Sequence, residues 1–537
     1  MALSVKRMTQ TIFPKVLRAS WRDFHLTGLV AVVIASVFVG PSARAASADA
    51  ANSTPARPNI LWFVVDDMSA NFSCYGETTI RTPHVDRLAA EGTRFTRAYV
   101  TAPVCSSSRS ALITGMYQTT IGSHQHRSGR GVLKVHLPDG VTPLPALFQQ
   151  AGYFTCSGSG LTDRDFRGVP FGSTQGKKAA GNARGRLGKT DYNFEWDPAI
   201  YNDSDWAKRA PGQPFFMQVQ LHGGKLRDGG PDVPAALRER VKAELGSATD
   251  PKKVTLPPYY PRDPVLLSDW AAYLDAVRLT DHHVGQVLAR LEREGLLENT
   301  LIIFMTDHGI SHARGKQFLY DEGTHVPFIV RGPGVARGAT RTDLIEHIDM
   351  GAISLAAAGL PVPKAMQGRN VLASNYQPRT AVFAARDRCD ETVERIRSVR
   401  TDRFLYVRNF HPGRPHLQPN AYKDHKPTLL ALRASAAAGT LPELSRQLLF
   451  NPTRAPEELY EYVNDRWQTS NLAGQAAFQA TLVEHRTRLD NWMRDTKDKG
   501  PESAAMYESD MAEYLRKSNP EVEKNMALMQ RWAAEGK

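Results

Sequence analysis

Four short apolar runs constrain this 537-residue chain more than any other feature. Residues 59–65, 215–221, 301–305 and 326–330 are nearly unbroken stretches of β-branched, aromatic and aliphatic side chains. A strand with one wet face alternates polar and apolar residues; a strand buried on both faces reads as a continuous run. Between the runs lie segments with helical spacing. They are 85–91, which begins near Asp86 and stops at Gly92, 144–150, which stops at Gly152, and 270–297 and 348–360. Strands alternating with helices predict an α/β fold, with a large, mostly parallel sheet sandwiched by helices. Such sheets bind ligands beyond the carboxyl ends of their strands. Here those ends are polar: Asp66-Asp67, then His222-Gly223-Gly224, then Thr306-Asp307-His308-Gly309. Fold stability alone has no need of that pattern.

Near residue 380 the texture changes. Residues 380–385, 397–401 and 404–407 read as strands of a smaller antiparallel sheet, and 470–495 and 502–535 read as helical. A catalytic domain over 58–379 and a smaller C-terminal α+β domain over 380–537 are expected. The first 45 residues read as a secretory signal, followed by an Ala/Ser/Asn/Pro-rich leader over 46–57. Lys6, Arg7, Lys15, Arg18 and Arg22 form its basic region, 26–39 its apolar region, and Ala43-Arg44-Ala45 its cleavage site. The apolar region is too short for an ordinary membrane span. An exported chain, periplasmic or secreted, with no stable membrane span after cleavage is therefore expected; an uncleaved anchor is the alternative. Cleavage removes six basic residues and one acidic residue, lowering the net charge from +12 to +7. A moderate positive excess suits an anionic substrate. The basic residues are scattered without interleaved aromatics, which argues against nucleic acid. Four cysteines, Cys74, Cys105, Cys156 and Cys389, make no disulfide scaffold. Residues 157–214, rich in Gly, Asp, Lys and Asn, read as a long insertion of the kind that often carries function.

The chemistry concentrates around Cys105, in Cys105-Ser106-Ser107-Ser108-Arg109-Ser110-Ala111-Leu112-Ile113-Thr114-Gly115. Arg109 falls one helical turn after Cys105. The carboxylates of Asp66, Asp67 and Asp307 suit a hard cation such as calcium or magnesium. His308 adds an imidazole, which brings in manganese.

On these residues the chain resembles the type I, formylglycine-dependent sulfatases of the alkaline phosphatase superfamily. The segments Arg386-Asp387-Arg388-Cys389-Asp390, Val399-Arg400-Thr401-Asp402-Arg403 and Glu458-Leu459-Tyr460-Glu461 look like the subgroup that includes heparan N-sulfatases. The resemblance implies that a formylglycine-generating enzyme converts Cys105 to formylglycine (3-oxoalanine). One hydroxyl of its hydrate attacks sulfur, and the other expels sulfate by re-forming the aldehyde. It also implies one cation, calcium first with manganese and magnesium as alternatives, held by Asp66, Asp67, residue 105, Asp307 and His308. Arg109 would orient the hydrate, Lys316 and Lys189 would neutralise sulfate oxygens, and His222 would protonate the leaving oxygen.

Three departures stand out. Ser107 replaces the proline the family prefers, and His308 falls where many members have Asn. The second signature, Gly152-Tyr153-Phe154-Thr155, lacks its following lysine. Lys189, in Gly188-Lys189-Thr190-Asp191, is the best replacement, with Lys177 and Lys178 as weaker candidates, and Asp191 stands where His is usual. The expected substrate is a sulfated carbohydrate held by Arg386, Arg388 and Asp191. Two other readings stay open: a phosphodiesterase or phosphonate monoester hydrolase of the same superfamily, and a non-catalytic sulfoglycan-binding protein with unmodified Cys105.

Overall fold

The computed structural model describes residues 57–162, 187–229, 232–516 and 518–537. The expected signal, nearly all of the leader, and Lys177 and Lys178 lie outside the described residues. Eight strands build the large sheet: β1 (Asn59–Val65), β2 (Thr93–Tyr99), β3 (Phe154–Gly158), β4 (Phe215–Leu221), β5 (Thr300–Thr306), β6 (His325–Arg331), β7 (Ala339–Arg341) and β8 (Ile345–Glu346). Their order is β3-β4-β1-β5-β6-β2-β7, with β8 also pairing to β2. β3, β4, β1 and β5 are parallel, and β6 runs against both β5 and β2. The α/β class expected from the apolar runs is the class observed.

The two faces of β1 show why its run is continuous. Leu61, Phe63 and Val65 enter one core, which holds the long helix Pro264–Arg293. Ile60, Trp62 and Val64 enter the other, with Leu112 and Ile113 of the helix Cys105–Thr114. Trp62 Nε1 donates to Ser354 Oγ there, so its only polar atom is satisfied. The long helix starts six residues before the expected 270. Asp263 accepts a hydrogen bond from the Val265 N–H, and Pro264 fills the first helical position, a start signal that apolar spacing alone does not show.

β9 (Val382–Arg386), β10 (Ile396–Arg400), β11 (Phe404–Asn409) and β12 (Glu457–Glu461) form an antiparallel sheet in the order β12-β11-β10-β9. Val399, Tyr406 and Leu459 on one face pack against Leu482, Leu489 and Trp492 of the helix Gln479–Asp495. Ile396, Leu405 and Val407 on the other join the core of the large sheet. Region 502–535 is two helices, Ala504–Leu515 and Pro520–Ala534, because Asn519 caps a new start and Pro520 ends the old one. None of the described helices is long and apolar enough to cross a membrane.

The topology places the chemistry. β4, β1 and β5 are adjacent, and the pairings Val65↔Leu221 and Val65↔Thr306 set the next residues, Asp66, His222 and Asp307, side by side. β2 opposes β6, which opposes β5, so β2 ends at the same edge. Residues 100–104 then lead directly into Cys105.

Candidate active site

The helix Cys105–Thr114 is buried along its whole length, and Val104 gives it no side-chain cap. Its N-terminal N–H groups therefore face the strand ends with their partial positive charge. Cys105 Sγ lies 3.1 Å from His308 Nε2, 3.2 Å from both Lys225 Nζ and Lys316 Nζ, and 3.8 Å from Asp67 Oδ1. Burial raises the pKa of this thiol, but Lys189, Lys225, Lys316 and His308 together bring it well below the ordinary value. The pocket is thus built to hold negative charge at position 105.

Arg109 ties the helix to all three central strands. Its Nη2 donates to Asp66 Oδ1 at 2.8 Å, its Nε to Asp307 Oδ2 at 2.9 Å, and its Nη1 to Gln220 Oε1 at 2.5 Å. Asp67 has a left-handed backbone, with φ of 53°, and its N–H donates to Asp307 Oδ1. The turn after β4 passes close beneath. A side chain at Gly223 would meet the Asp66 carbonyl at 2.1 Å, and one at Gly224 the Asp67 carbonyl at 2.2 Å. The glycines after His222 exist for that approach.

Charge is unevenly shared among the carboxylates. Burial raises Asp66, yet Arg109, Lys189 and Lys225 hold it well below the usual range; Asp67 is lowered by Lys225 and Lys316 against the same burial. Asp307 moves the other way: burial and Asp66 push it up to about 7 despite His308 and Arg109. Two overlapping sets, Asp67–Cys105–His308 and Asp66–Cys105–Asp307, keep their ligand atoms within 4.8 Å of one another. Carboxylates grouped around one point beside an imidazole suit a divalent cation, and the residues expected to hold it lie together in space.

The cationic side is larger than expected. Lys316 Nζ is 3.1 Å from Asp67 Oδ1, and Lys189 Nζ is 2.8 Å from Asp66 Oδ1. Lys225, which the sequence reading overlooked, reaches Asp66 Oδ2 at 3.4 Å and Asp67 Oδ1 at 3.7 Å. The signal was its place one turn after His222, at a strand end already marked as functional. These lysines, Cys105 and Asp191 line a cavity of about 500 Å³. A larger cleft of about 700 Å³, around Arg81, His84 and Arg278, holds none of this constellation.

Other expected residues stand further back. His222 sits half-buried at the end of β4, outside the cavity lining. Burial lowers its pKa, with Lys225, Lys189 and Arg109 adding to that effect against Asp66. Asp191 lines the cavity, but Lys189 and Arg130 hold it ionised, its pKa brought down to about 2 against the burial that raises it. Arg388 is buried, pairs with Glu502 at 2.6 Å and Asp510 at 2.7 Å, and is not among the residues that line the cavity. Arg386 is equally buried, with its guanidinium 4.7 Å from the centre of the Phe318 ring. The cavity lining also includes His126, Tyr422 and Tyr514, which no sequence motif marked. All four cysteines are free thiols.

Known proteins resemble the chain over most of this structure. Residues 58–360 match the family model described as Sulfatase, and 308–413 match the one described as N-sulphoglucosamine sulphohydrolase, C-terminal. An ulvan-active sulfatase of Formosa agariphila is 31% identical over 82% of this chain and 75% of its own length. N-sulphoglucosamine sulphohydrolase of Homo sapiens is 27% identical over 82% of this chain and 91% of its own. A solved structure of a protein in complex with D-glucosamine-2-N,6-O-disulfate is similar in fold, with a TM-score of 0.55 and 21% identity, covering 83% of this chain and 99% of that one.

Proposed function

Because the chain belongs to the sulfatase family and is a sulfuric ester hydrolase, we propose that it removes sulfate from a sulfated carbohydrate, using formylglycine made from Cys105 and one divalent cation, calcium first. The observation that carries this reading is the convergence of Asp66, Asp67, Asp307, His308, Arg109 and three lysines on a single buried cysteine at the sheet edge. The carbohydrate is supported by the names of the relatives, one ulvan-active and one acting on sulphoglucosamine, and by the positive charge. We also place the chain outside the cytoplasm, on the strength of the signal-like residues 1–45.

Each side chain then has a task. Asp66, Asp67, Asp307 and His308 would hold the cation, which supplies Lewis acidity to residue 105 and to a sulfate oxygen. Formylglycine supplies a nucleophilic hydroxyl and a second hydroxyl that expels sulfate. Arg109 fixes the carboxylates in register, so that the donor set needs no rearrangement when substrate arrives. Lys316 and Lys225, each 3.2 Å from the sulfur of residue 105, stand where sulfate oxygens gather charge, and Lys189 adds a third ammonium. His222, at the end of β4 and outside the cavity lining, is assigned the donation of a proton to the leaving oxygen.

The test is mass spectrometry of the residue-105 peptide, combined with turnover of an aryl sulfate, an aryl phosphodiester and sulfated oligosaccharides. The aldehyde or its hydrate, sulfate release, and loss of both in Cys105→Ala are expected. Chelation should abolish turnover, and added Ca2+ should restore it. Full activity with an intact thiol at 105 would overturn the mechanism. A preference for the phosphodiester would favour the phosphonate or phosphodiester reading, and a bound but unhydrolysed glycan the non-catalytic one.

A further inference from the structure

The cavity that Cys105 lines also carries a second group of metal-capable side chains, His126, Cys389 and Asp390, all buried. One ligand atom from each makes a triangle with no side longer than 4.8 Å, and both oxygens of Asp390 take part in the short contacts. Cys389 Sγ is 3.6 Å from His126 Nδ1 and 3.9 Å from Asp390 Oδ2, and His126 Nδ1 is 3.1 Å from Asp390 Oδ1. A tetrahedral Zn2+ holds sulfur at about 2.3 Å, nitrogen at about 2.0–2.1 Å and oxygen at about 2.0–2.2 Å, so its ligand atoms lie roughly 3.3–3.6 Å apart. The His126–Cys389 separation falls at the upper end of that range; Asp390 approaches the thiol with Oδ2 and the imidazole with Oδ1, so its carboxylate turns to offer one oxygen to the ion.

The surroundings hold the triangle in place before any ion arrives. The His126 N–H donates to the Arg388 carbonyl, and the Arg388 N–H donates to Gln125 Oε1 at 2.7 Å, so the two ligand-bearing segments are stitched together. The Arg388 guanidinium, locked by Glu502 and Asp510, also donates to the Asp390 carbonyl. Tyr514 OH donates to Asp390 Oδ1 at 2.6 Å, and Gln317 Nε2 donates to Cys389 Sγ at 2.9 Å. Partners of this kind orient ligands at metal sites. Asp390 and Gln317 both hold left-handed backbones, with φ of 54° and 80°, a strain that surrounding structure must maintain.

We propose that His126, Cys389 and Asp390 bind one Zn2+, at a site separate from the carboxylate site at Asp66, Asp67 and Asp307. Thiolate and imidazole select a borderline-soft ion over calcium. Binding releases the Cys389 thiol proton and any proton on His126 Nδ1. Three protein ligands leave one tetrahedral position, and all three residues line the cavity, so water or a hydroxyl of a bound sugar fills it.

The test must exclude Asp67–Cys105–His308, which also contains thiol and imidazole. Full-length Cys105→Ala protein is stripped with chelator, saturated with Ca2+, and titrated with Zn2+ by calorimetry and with Co2+ by absorption. One Zn2+ per chain and a thiolate-to-cobalt band in the near ultraviolet are expected. Adding Cys389→Ser should remove the band, while Asp390→Asn should keep it and weaken Zn2+ binding at least about ten-fold; circular dichroism verifies that both remain folded. Absence of the band in Cys105→Ala, or Zn2+ binding indifferent to both further substitutions, overturns the proposal. Cys105→Ala cannot turn over substrate by the proposed mechanism, so this readout stands or falls apart from the sulfatase assignment.

Discussion

Replacing Lys225 by Met separates charge from packing at the nucleophile. The methionine keeps most of the side-chain length and removes only the ammonium, which lies 3.2 Å from Cys105 Sγ, 3.4 Å from Asp66 and 3.7 Å from Asp67. Stability should change little. Asp66 keeps Arg109 and Lys189, each at 2.8 Å, and Asp67 keeps Lys316 at 3.1 Å. No buried carboxylate is orphaned, so the cost of about 3–5 kcal/mol that follows such a loss does not arise. A shift within about 1 kcal/mol is expected. The chemistry should suffer much more. A preorganised donor at a site of developing charge contributes about 2.7–4 kcal/mol to the transition state, or roughly 10²–10³-fold in kcat. The assay is kcat and KM on an aryl sulfate and on a sulfated oligosaccharide, with thermal melts of both proteins. If Lys225→Met is folded and its kcat stays within about threefold of the parent, a loss under about 0.7 kcal/mol, then Lys225 merely balances Asp66 and Asp67. The charge argument would then fail.

Arg109→Ala should instead destabilise the fold by about 3–5 kcal/mol, because Asp66 and Asp307 lose a shared buried partner; an unchanged melting temperature would contradict the network. Arg388→Ala should cost a similar amount, about 3–5 kcal/mol, through Glu502 and Asp510. Its kcat/KM should fall equally on oligosaccharide and aryl ester, and a loss confined to the oligosaccharide would return Arg388 to the substrate. Asp281 accepts hydrogen bonds from the His84 and Val85 N–H groups, and burial raises its pKa from 3.8 to about 7. A raised folded pKa means that the folded state binds the proton more tightly. The stability this provides is full below 3.8 and is lost as pH rises through about 7. Asp281→Asn keeps the acceptor oxygen, so melting temperatures measured across that window should decline less than the parent's; parallel curves would refute the assignment.

The sequence was most readable where burial dictates composition. The runs that became β1, β4 and β5 could not be anything but interior strands, and the polar residues at their ends pointed to the site edge. β2 was missed because Arg94, Thr96 and Arg97 interrupt its apolar pattern, their side chains being only partly buried beside short outer strands. Cys105, Arg109 and the acidic residues were legible as local motifs. Lys225 was not, because its meaning depends on the glycine turn that folds it back beneath Asp66 and Asp67. The surroundings of Arg388 were not legible either, because its partners Glu502 and Asp510 lie more than a hundred residues further along the chain. His126 and Asp390 meet only through the smaller sheet, and spacing along the chain carries no trace of their meeting.

The buried helix that begins at Cys105 also sets an order of events. In the folded chain the thiol is 3% exposed, beneath the ends of three strands and within reach of two lysines. A modifying enzyme could not seat such a segment in its own cleft without first unwinding a helix whose every residue is interior. If Cys105 is matured as proposed, its modification must precede closure of the sheet edge. On that proposal, chains that fold early would be trapped as well-formed but inert thiol proteins, and the yield of active enzyme would reflect a race between oxidation and folding.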